Sequence, residues 1–200
     1  MTISTQQIKD LREATGAGML DCKKALESSD GDYEKALEFL REKGMSKAEK
    51  RSDREASNGM IDLYSHGDGR VGVMVEVNCE TDFVARTEQF RVFAHEIALQ
   101  VAAASPRWIQ PEDVPEDLVV ENRAAAAEMA AAEGKPDNII ERIVEGKLAK
   151  FYDENCLLRQ EYIRDDSKTV EDLLKENIVS TGEKIVIRRF ARWELGEAEE

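Results

Sequence analysis

The apolar positions change period twice along the chain. Over residues 1–44 they recur at helical spacing in three short blocks. Ile8, Leu11 and Ala14 share a face of the first block, which Ser4 or Thr5 can cap. Gly16-Ala17-Gly18 breaks it. A second helix is predicted from about Met19 to Ser28, with Leu20, Cys22 and Leu26 among its apolar positions. Asp30-Gly31-Asp32 reads as a turn. Asp32 then caps a third helix carrying Tyr33, Ala36, Leu37, Phe39 and Leu40, ended by Gly44. A unit of about 45 residues lies near the lower limit for an independent core. Residues 45–57, MSKAEKRSDREAS, have mixed charge and no apolar stripe; they read as a solvated linker, with some helix allowed.

From Asn58 the period becomes two. Met60–Ser65 reads as a strand, His66-Gly67-Asp68-Gly69 as a turn, and Val71, Val73, Val75 and Val77 alternate strictly. The pattern predicts a β-hairpin ending near Glu80. Helical spacing returns after Thr87, a cap, with Phe90, Phe93, Ala94, Ile97, Ala98 and Val101 on one face. Ser105-Pro106 stops that helix, and Trp108-Ile109 reads as a short edge segment. Two further helices are predicted, from about Glu116 to Ala132 and from near Pro136 through Phe151. Residues 155–162 fit a helix end or extended chain equally. Thr169 caps a short helix with Val170, Leu173 and Leu174, and a last strand spans Lys184–Leu195, before a frayed EAEE tail. The predicted fold is α+β: a three-helix unit (1–44), a charged linker (45–57), and a core (58–200) with a small, mostly antiparallel sheet packed by helices.

Composition narrows the function. The 200 residues carry 42 acidic and 28 basic side chains, a net charge of −14. Such a body repels phosphate backbones and anionic bilayers, so neither nucleic acid nor membrane is expected as a direct partner. The charge is uneven: residues 1–57 are nearly neutral at −1, and the remainder holds −13. Cys22, Cys79 and Cys156 are too few and too far apart for a disulfide framework or a CxxC metal pair. With no signal core and no bilayer-length apolar run, a cytoplasmic protein with free thiols is expected.

Chemistry is sparse. His66 and His95 are the two histidines, and HExxH fails because position 99 is Leu99. His95 reads as an ordinary helix histidine and His66 as a turn residue. No GxSxG or Cys/His signature is present. Gly16-Ala17-Gly18 lacks a third glycine and follows a helix, so it is a poor phosphate loop. Neither catalytic residues, nor a metal site, nor a cofactor is expected, and the predicted class is a non-enzymatic binding protein. A generic adaptor and an acid-type hydrolase with paired carboxylates are the rival classes.

Two segments offer recognition surfaces. Met19 and Leu20, after the tight turn, form either an exposed knob or part of the core; so small a core favours burial. Thr81-Asp82-Phe83-Val84-Ala85-Arg86 joins a strand to a helix. Phe83 either stands at the edge of the fold or packs inward behind a cap at Thr81 or Asp82. Spacing alone favours the inward ring.

These segments carry a family resemblance. IKDLREATGAGMLDCKKAL (8–26) and EVNCETDFVAR (76–86) resemble the two signatures of translation elongation factor Ts. GDYEKALEFLREKG and IVIRRFARWELGE (185–197) are similar to its third N-terminal helix and last strand. The resemblance spans nearly the whole chain in order. Position 20 departs from it, being Leu where a second Met is common, and position 86 is Arg where Lys also occurs.

The resemblance implies a ubiquitin-associated-like N-terminal domain and a guanine-nucleotide exchange factor. The partner it implies is elongation factor Tu, in GDP-bound and nucleotide-free forms. Arg12, Thr15, Gly16, Ala17, Gly18, Met19 and Leu20 match the segment that grips the partner's nucleotide-binding domain. Asp82 and Phe83, with Thr81 and Val84 in the same segment, match positions that approach its nucleotide and magnesium site. Long members bring two half-cores and a helical hairpin, whereas this chain has room for one core. A homodimer is therefore expected, with Ile185, Val186 and Ile187 and the Val71–Val77 strand as interface material. The alternative is that the chain's own helices cover both faces of the last strand.

Overall fold

The computed structural model describes residues 3–49 and 53–197. Three helices open it: α1 (Thr5–Thr15), α2 (Met19–Ser28) and α3 (Tyr33–Glu49). Ser4 starts α1 with a capping box: its hydroxyl accepts from the Gln7 N–H, and the Gln7 side chain accepts from the Ser4 N–H. Asp32 accepts from the Lys35 N–H at the start of α3. Leu11, Cys22, Ala25, Leu26, Ala36 and Leu40 close a core belonging to these helices.

Contrary to expectation, α3 does not end at Gly44 but runs on through Met45–Glu49. An interior glycine costs a helix only about 1 kcal/mol, and Met, Lys, Ala and Glu are good helix formers. Residues 50–52 of the expected linker and the last three of the expected frayed tail lie outside the described residues.

The hairpin forms as predicted, from β1 (Asn58–His66) and β2 (Val71–Cys79). Gly67 (φ 60°), Asp68 (φ 55°) and Gly69 (φ 87°) are all left-handed, and Asp68-Gly69 is the central pair of the turn that the Arg70 N–H closes on the Gly67 carbonyl at 3.2 Å, a geometry that suits the twist of a hairpin. After β2 come α4 (Asp82–Ala85), α5 (Glu88–Ala104), α6 (Glu116–Ala132) and α7 (Asp137–Asn155). A two-stranded ribbon, β3 (Glu161–Tyr162) and β4 (Asp165–Thr169), leads to α8 (Val170–Thr181) and β5 (Ile185–Glu194). The main sheet is antiparallel, ordered β1-β2-β5. α4 is the helical turn that a cap at Thr81 implies, whereas the ribbon is not among the elements expected from the sequence. Trp108 makes an isolated bridge to Cys156. No helix among the described residues is long and apolar enough to cross a membrane.

One face of the main sheet is buried. Val73, Val75, Val77 and Cys79 meet Phe90, Phe93, Ala94, Ile97 and Val101 of α5 and Val170 and Ile178 of α8. Ile185 and Ile187 belong to this same cluster, so they cannot serve as the expected interface. Their neighbour Val186 pairs with Asn78 on the opposite face. β2 does lie beside β5.

A bulge then changes the parity of β5. Val77 pairs with Ile187 but Glu76 pairs with Arg189, leaving Arg188 as the extra residue. Beyond it Phe190 and Arg192 turn inward, while Ala191 and Trp193 turn outward with Met74 and Gly72. Ile61 and Leu63 of β1 lie on that outer face too. Ile61, Leu63, Met74 and Trp193 are all exposed there, so among the described residues the helices cover only one face.

Candidate partner-binding site

β2 ends at Cys79, and within three residues the chain turns into α4. Thr81 caps this single turn, its hydroxyl oxygen accepting from the Val84 N–H at 3.4 Å. Thr87 closes it by donating its hydroxyl to the Val84 carbonyl at 2.8 Å, before capping α5 itself. Val84 packs against the sheet core. Phe83 points the other way and is 81% exposed. The cap at Thr81 thus forms as the inward reading requires, but the ring does not follow it inward. Asp82 pairs with Arg86 one turn on, at 3.0 Å. This one-turn helix, capped at Thr81 and closed by Thr87, presents an aromatic ring beside a carboxylate.

The second segment is the junction of α1 and α2. The Thr15 hydroxyl donates to the Leu11 carbonyl at 2.6 Å and accepts from the Ala17 N–H at 3.3 Å. Ala17 is buried in the three-helix core. Gly16, at φ 64°, sits against α8, where an added Cβ would lie 2.6 Å from the Ser180 hydroxyl oxygen. Gly18 precedes α2 as its N-cap. Met19 and Leu20 are exposed, Leu20 at 74%, and Arg12 is exposed beside them in sequence on α1. The knob reading holds over the core reading: Leu11, Cys22 and Leu26 already fill the space between the helices.

The chemistry-bearing side chains have ordinary places. Burial pushes the thiols of Cys22, Cys79 and Cys156 up, Cys156 to about 11, so they stay protonated at neutral pH and pack as small apolar groups. His95 pairs with Asp62 at 3.0 Å. His66 accepts or donates to the Tyr64 hydroxyl at 2.9 Å, depending on tautomer. Among the described residues, no group of three or more His, Cys, Asp or Glu side chains is placed to hold a metal ion.

A family model, described as elongation factor Ts, matches residues 5–197, which include both segments. The chain belongs to the elongation factor Ts family. Family members are factors of translation elongation in protein biosynthesis. The elongation factor Ts of Caldanaerobacter subterraneus subsp. tengcongensis is 59% identical over 98% of each chain. That of Thermoanaerobacter pseudethanolicus is 57% identical, covering 98% of this chain and 96% of the relative. That of Coprothermobacter proteolyticus is 55% identical, covering 98% of this chain and all of the relative.

Four residues near these segments escape the sequence reading. Phe39 was expected on the apolar face of α3, yet it is exposed. Lys43, which pairs with Asp21 of α2 at 3.1 Å, lies 5.9 Å from the Phe39 ring centroid. Helical spacing alone does not separate the rim of such a face from its centre. Ser180 and Glu183 touch the two segments from the far end of the chain. No local pattern marks contacts across a hundred residues or more.

Proposed function

We propose that this chain promotes GDP release from elongation factor Tu, binding its GDP-bound and nucleotide-free forms, without breaking a covalent bond and without a cofactor of its own. The observation that carries this reading is Phe83, an exposed ring on the one-turn helix α4. Aromatic side chains are among the commonest anchors of protein–protein contacts, and Phe83 offers one at the end of the sheet. Phe83 acts as a wedge that displaces partner elements beneath the magnesium site. Asp82 exchanges its pairing with Arg86 for hydrogen bonds around that site.

Residues 1–44 supply affinity through Arg12, Met19 and Leu20. Thr15, Gly16, Ala17 and Gly18 shape the turn that presents them. Residues 45–57 connect this unit to the core, 58–200, which delivers the distortion. By linkage, a factor that weakens GDP binding is itself weakened by GDP to the same degree.

The outer sheet face supports a homodimer. Ile61, Leu63, Met74 and Trp193 form an apolar strip that no helix among the described residues covers. A second copy related by a twofold axis would cover it with the same strip, a self-complementary contact.

Labelled-GDP release from elongation factor Tu, with and without this chain, tests the central reading. Acceleration that rises with factor concentration and saturates is the expected result. An unchanged rate at saturating chain would overturn it.

A further inference from the structure

The last paired residues of β2 and β5 are Cys79 and Ile185. Beyond them the two chains separate, one into α4 and the other back to α8, and their next backbone N–H groups leave the ladder. Two carboxylates take those N–H groups in a reciprocal arrangement. Glu80 Oε1 accepts from the Lys184 N–H at 2.6 Å. Glu183 accepts twice from Thr81: Oε2 from its N–H at 3.0 Å and Oε1 from its hydroxyl at 2.6 Å. Arg54 donates to the Glu80 carboxylate at 3.2 Å, and Lys184 Nζ donates to the Arg54 carbonyl at 2.9 Å.

The grip on Thr81 matters because α4 is a single turn. One turn has no stability of its own, since nucleation fixes several dihedrals for one hydrogen bond. The direction of α4 is set by what holds its ends. At the C-terminal end that is Thr87. At the N-terminal end it is Thr81, gripped by charge-assisted hydrogen bonds at both backbone and side chain. The same α8 terminus touches the docking turn. Ser180 packs on Gly16 and accepts a hydrogen bond from Gln89 Nε2 at 2.7 Å, in the first turn of α5.

We propose that Glu183 is a positioning residue for nucleotide exchange: by holding Thr81 it fixes the pitch of α4, and so the direction in which Phe83 meets the partner. Together with Ser180 it makes the end of α8 the common mount of both partner-facing segments. This rests on the reading of Thr81–Val84 as the exchange segment. A residue that merely stabilised the sheet end would lower the folded fraction and leave the folded molecules fully active. A positioning residue lowers the rate at saturation with little change in the concentration needed to reach it.

The test is labelled-GDP release from elongation factor Tu against increasing full-length factor, giving a limiting rate and a half-saturating concentration. Glu183→Ala should lower the limiting rate about tenfold and move half-saturation less than about threefold. Thr81→Val, which removes both the hydroxyl donor to Glu183 and the cap acceptor for the Val84 N–H, should also lower the limiting rate, and Thr81→Ser, which restores both, should recover most of that loss. The double variant Glu183→Ala/Thr81→Val should lose less than the product of the two single losses, because the hydroxyl–carboxylate bond is common to both. A wild-type limiting rate for Glu183→Ala, beside a slow Phe83→Ala, overturns the positioning role and leaves the exchange segment standing. Wild-type rates for both, or a wild-type chain that releases no GDP, overturn the underlying reading and this proposal with it. Should Glu183→Ala fail to fold, equal limiting rates for Thr81→Val and Thr81→Ser would be decisive against the proposal.

Discussion

Two phenylalanines seven positions apart have opposite surroundings. Phe90 is fully buried between α5 and the sheet, and Phe83 stands in solvent. Phe90→Ala should destabilise the fold by about 3–5 kcal/mol in urea titration, the usual result of opening a cavity in a packed core. Phe83→Ala should move stability by less than about 0.5 kcal/mol. It should nonetheless slow GDP release at least about tenfold, since truncating an aromatic anchor often removes more than ~2 kcal/mol of contact. A folded Phe83→Ala chain with normal release would remove the wedge. Tyr162 offers a second residue-scale test. Burial, then its hydrogen bond to Glu96, pushes its phenol up to about 12 from 10.0. Burial alone would raise the Glu96 carboxyl, but hydrogen bonds from Arg164 and Tyr162 outweigh it and lower it. A raised phenol favours the folded state through its neutral form. That contribution is whole below 10.0 and is lost as pH rises through about 12. Stability measured from pH 9 to 12 should fall less steeply for Tyr162→Phe than for the wild type; parallel curves would contradict the assignment.

Among elements, α8 and α5 hold the others in place. α8 begins with a capping box between Thr169 and Asp172 and ends at Gly182 in the left-handed region. Its faces meet α1 and α3 as well as the sheet. α5 carries one polar residue inside its apolar stripe, Gln100, which is fully buried. Gln100 donates to the Glu161 carbonyl at 3.1 Å and accepts from the Ile163 N–H at 2.9 Å, tethering the β3–β4 ribbon. A ribbon this short has no independent stability. Gln100→Leu leaves those backbone groups unpaired and should cost about 1–3 kcal/mol, read by chemical denaturation. An unchanged midpoint would show that the ribbon holds without it. The N-terminal helices keep their own core, so removing them tests docking at this scale. A chain starting near Asn58 should retain the circular dichroism of its sheet and helices but bind elongation factor Tu much more weakly by calorimetric titration. Equal affinity would take the docking role away from residues 1–44.

For the whole molecule, the uncovered sheet face is the observation behind the proposed homodimer. Leu63 is 71% exposed and Trp193 64%, on strands whose opposite face is packed. A lone chain would leave this strip in water. Light scattering at micromolar concentration with reductant should give about twice the single-chain 22.5 kDa. The reductant should change nothing, because all three cysteines are buried and free. Leu63→Lys combined with Trp193→Lys should return the mass to one chain without loss of helix or strand signal, since neither side chain packs in the core. A single-chain mass for the wild type across that range would sink the dimer.

Sequence by itself determined the elements whose signals are local. The capped helices at Ser4, Asp32, Thr87 and Thr169, the Val71–Val77 alternation and the hairpin turn each depend on residues within a few positions of one another. The α+β class followed from their order, and both family signatures were legible as continuous strings. Tertiary structure decided what depends on distant partners. Gly44 stays inside α3 because nothing after it favours a stop. The alternation around Ile185 and Ile187 says that the strand has two apolar faces; only pairing with β2, and the bulge at Arg188, says which face is core. Leu20 and Phe83 look like core residues by composition and stand exposed because Leu11, Cys22 and Leu26 in one unit, and Val84 and Phe90 in the other, already fill the space available. The mount for Phe83 is the least legible of all. Thr81 and Glu183 lie about a hundred residues apart, and only the closing of β5 onto β2 brings that carboxylate to the strand end whose N–H it accepts.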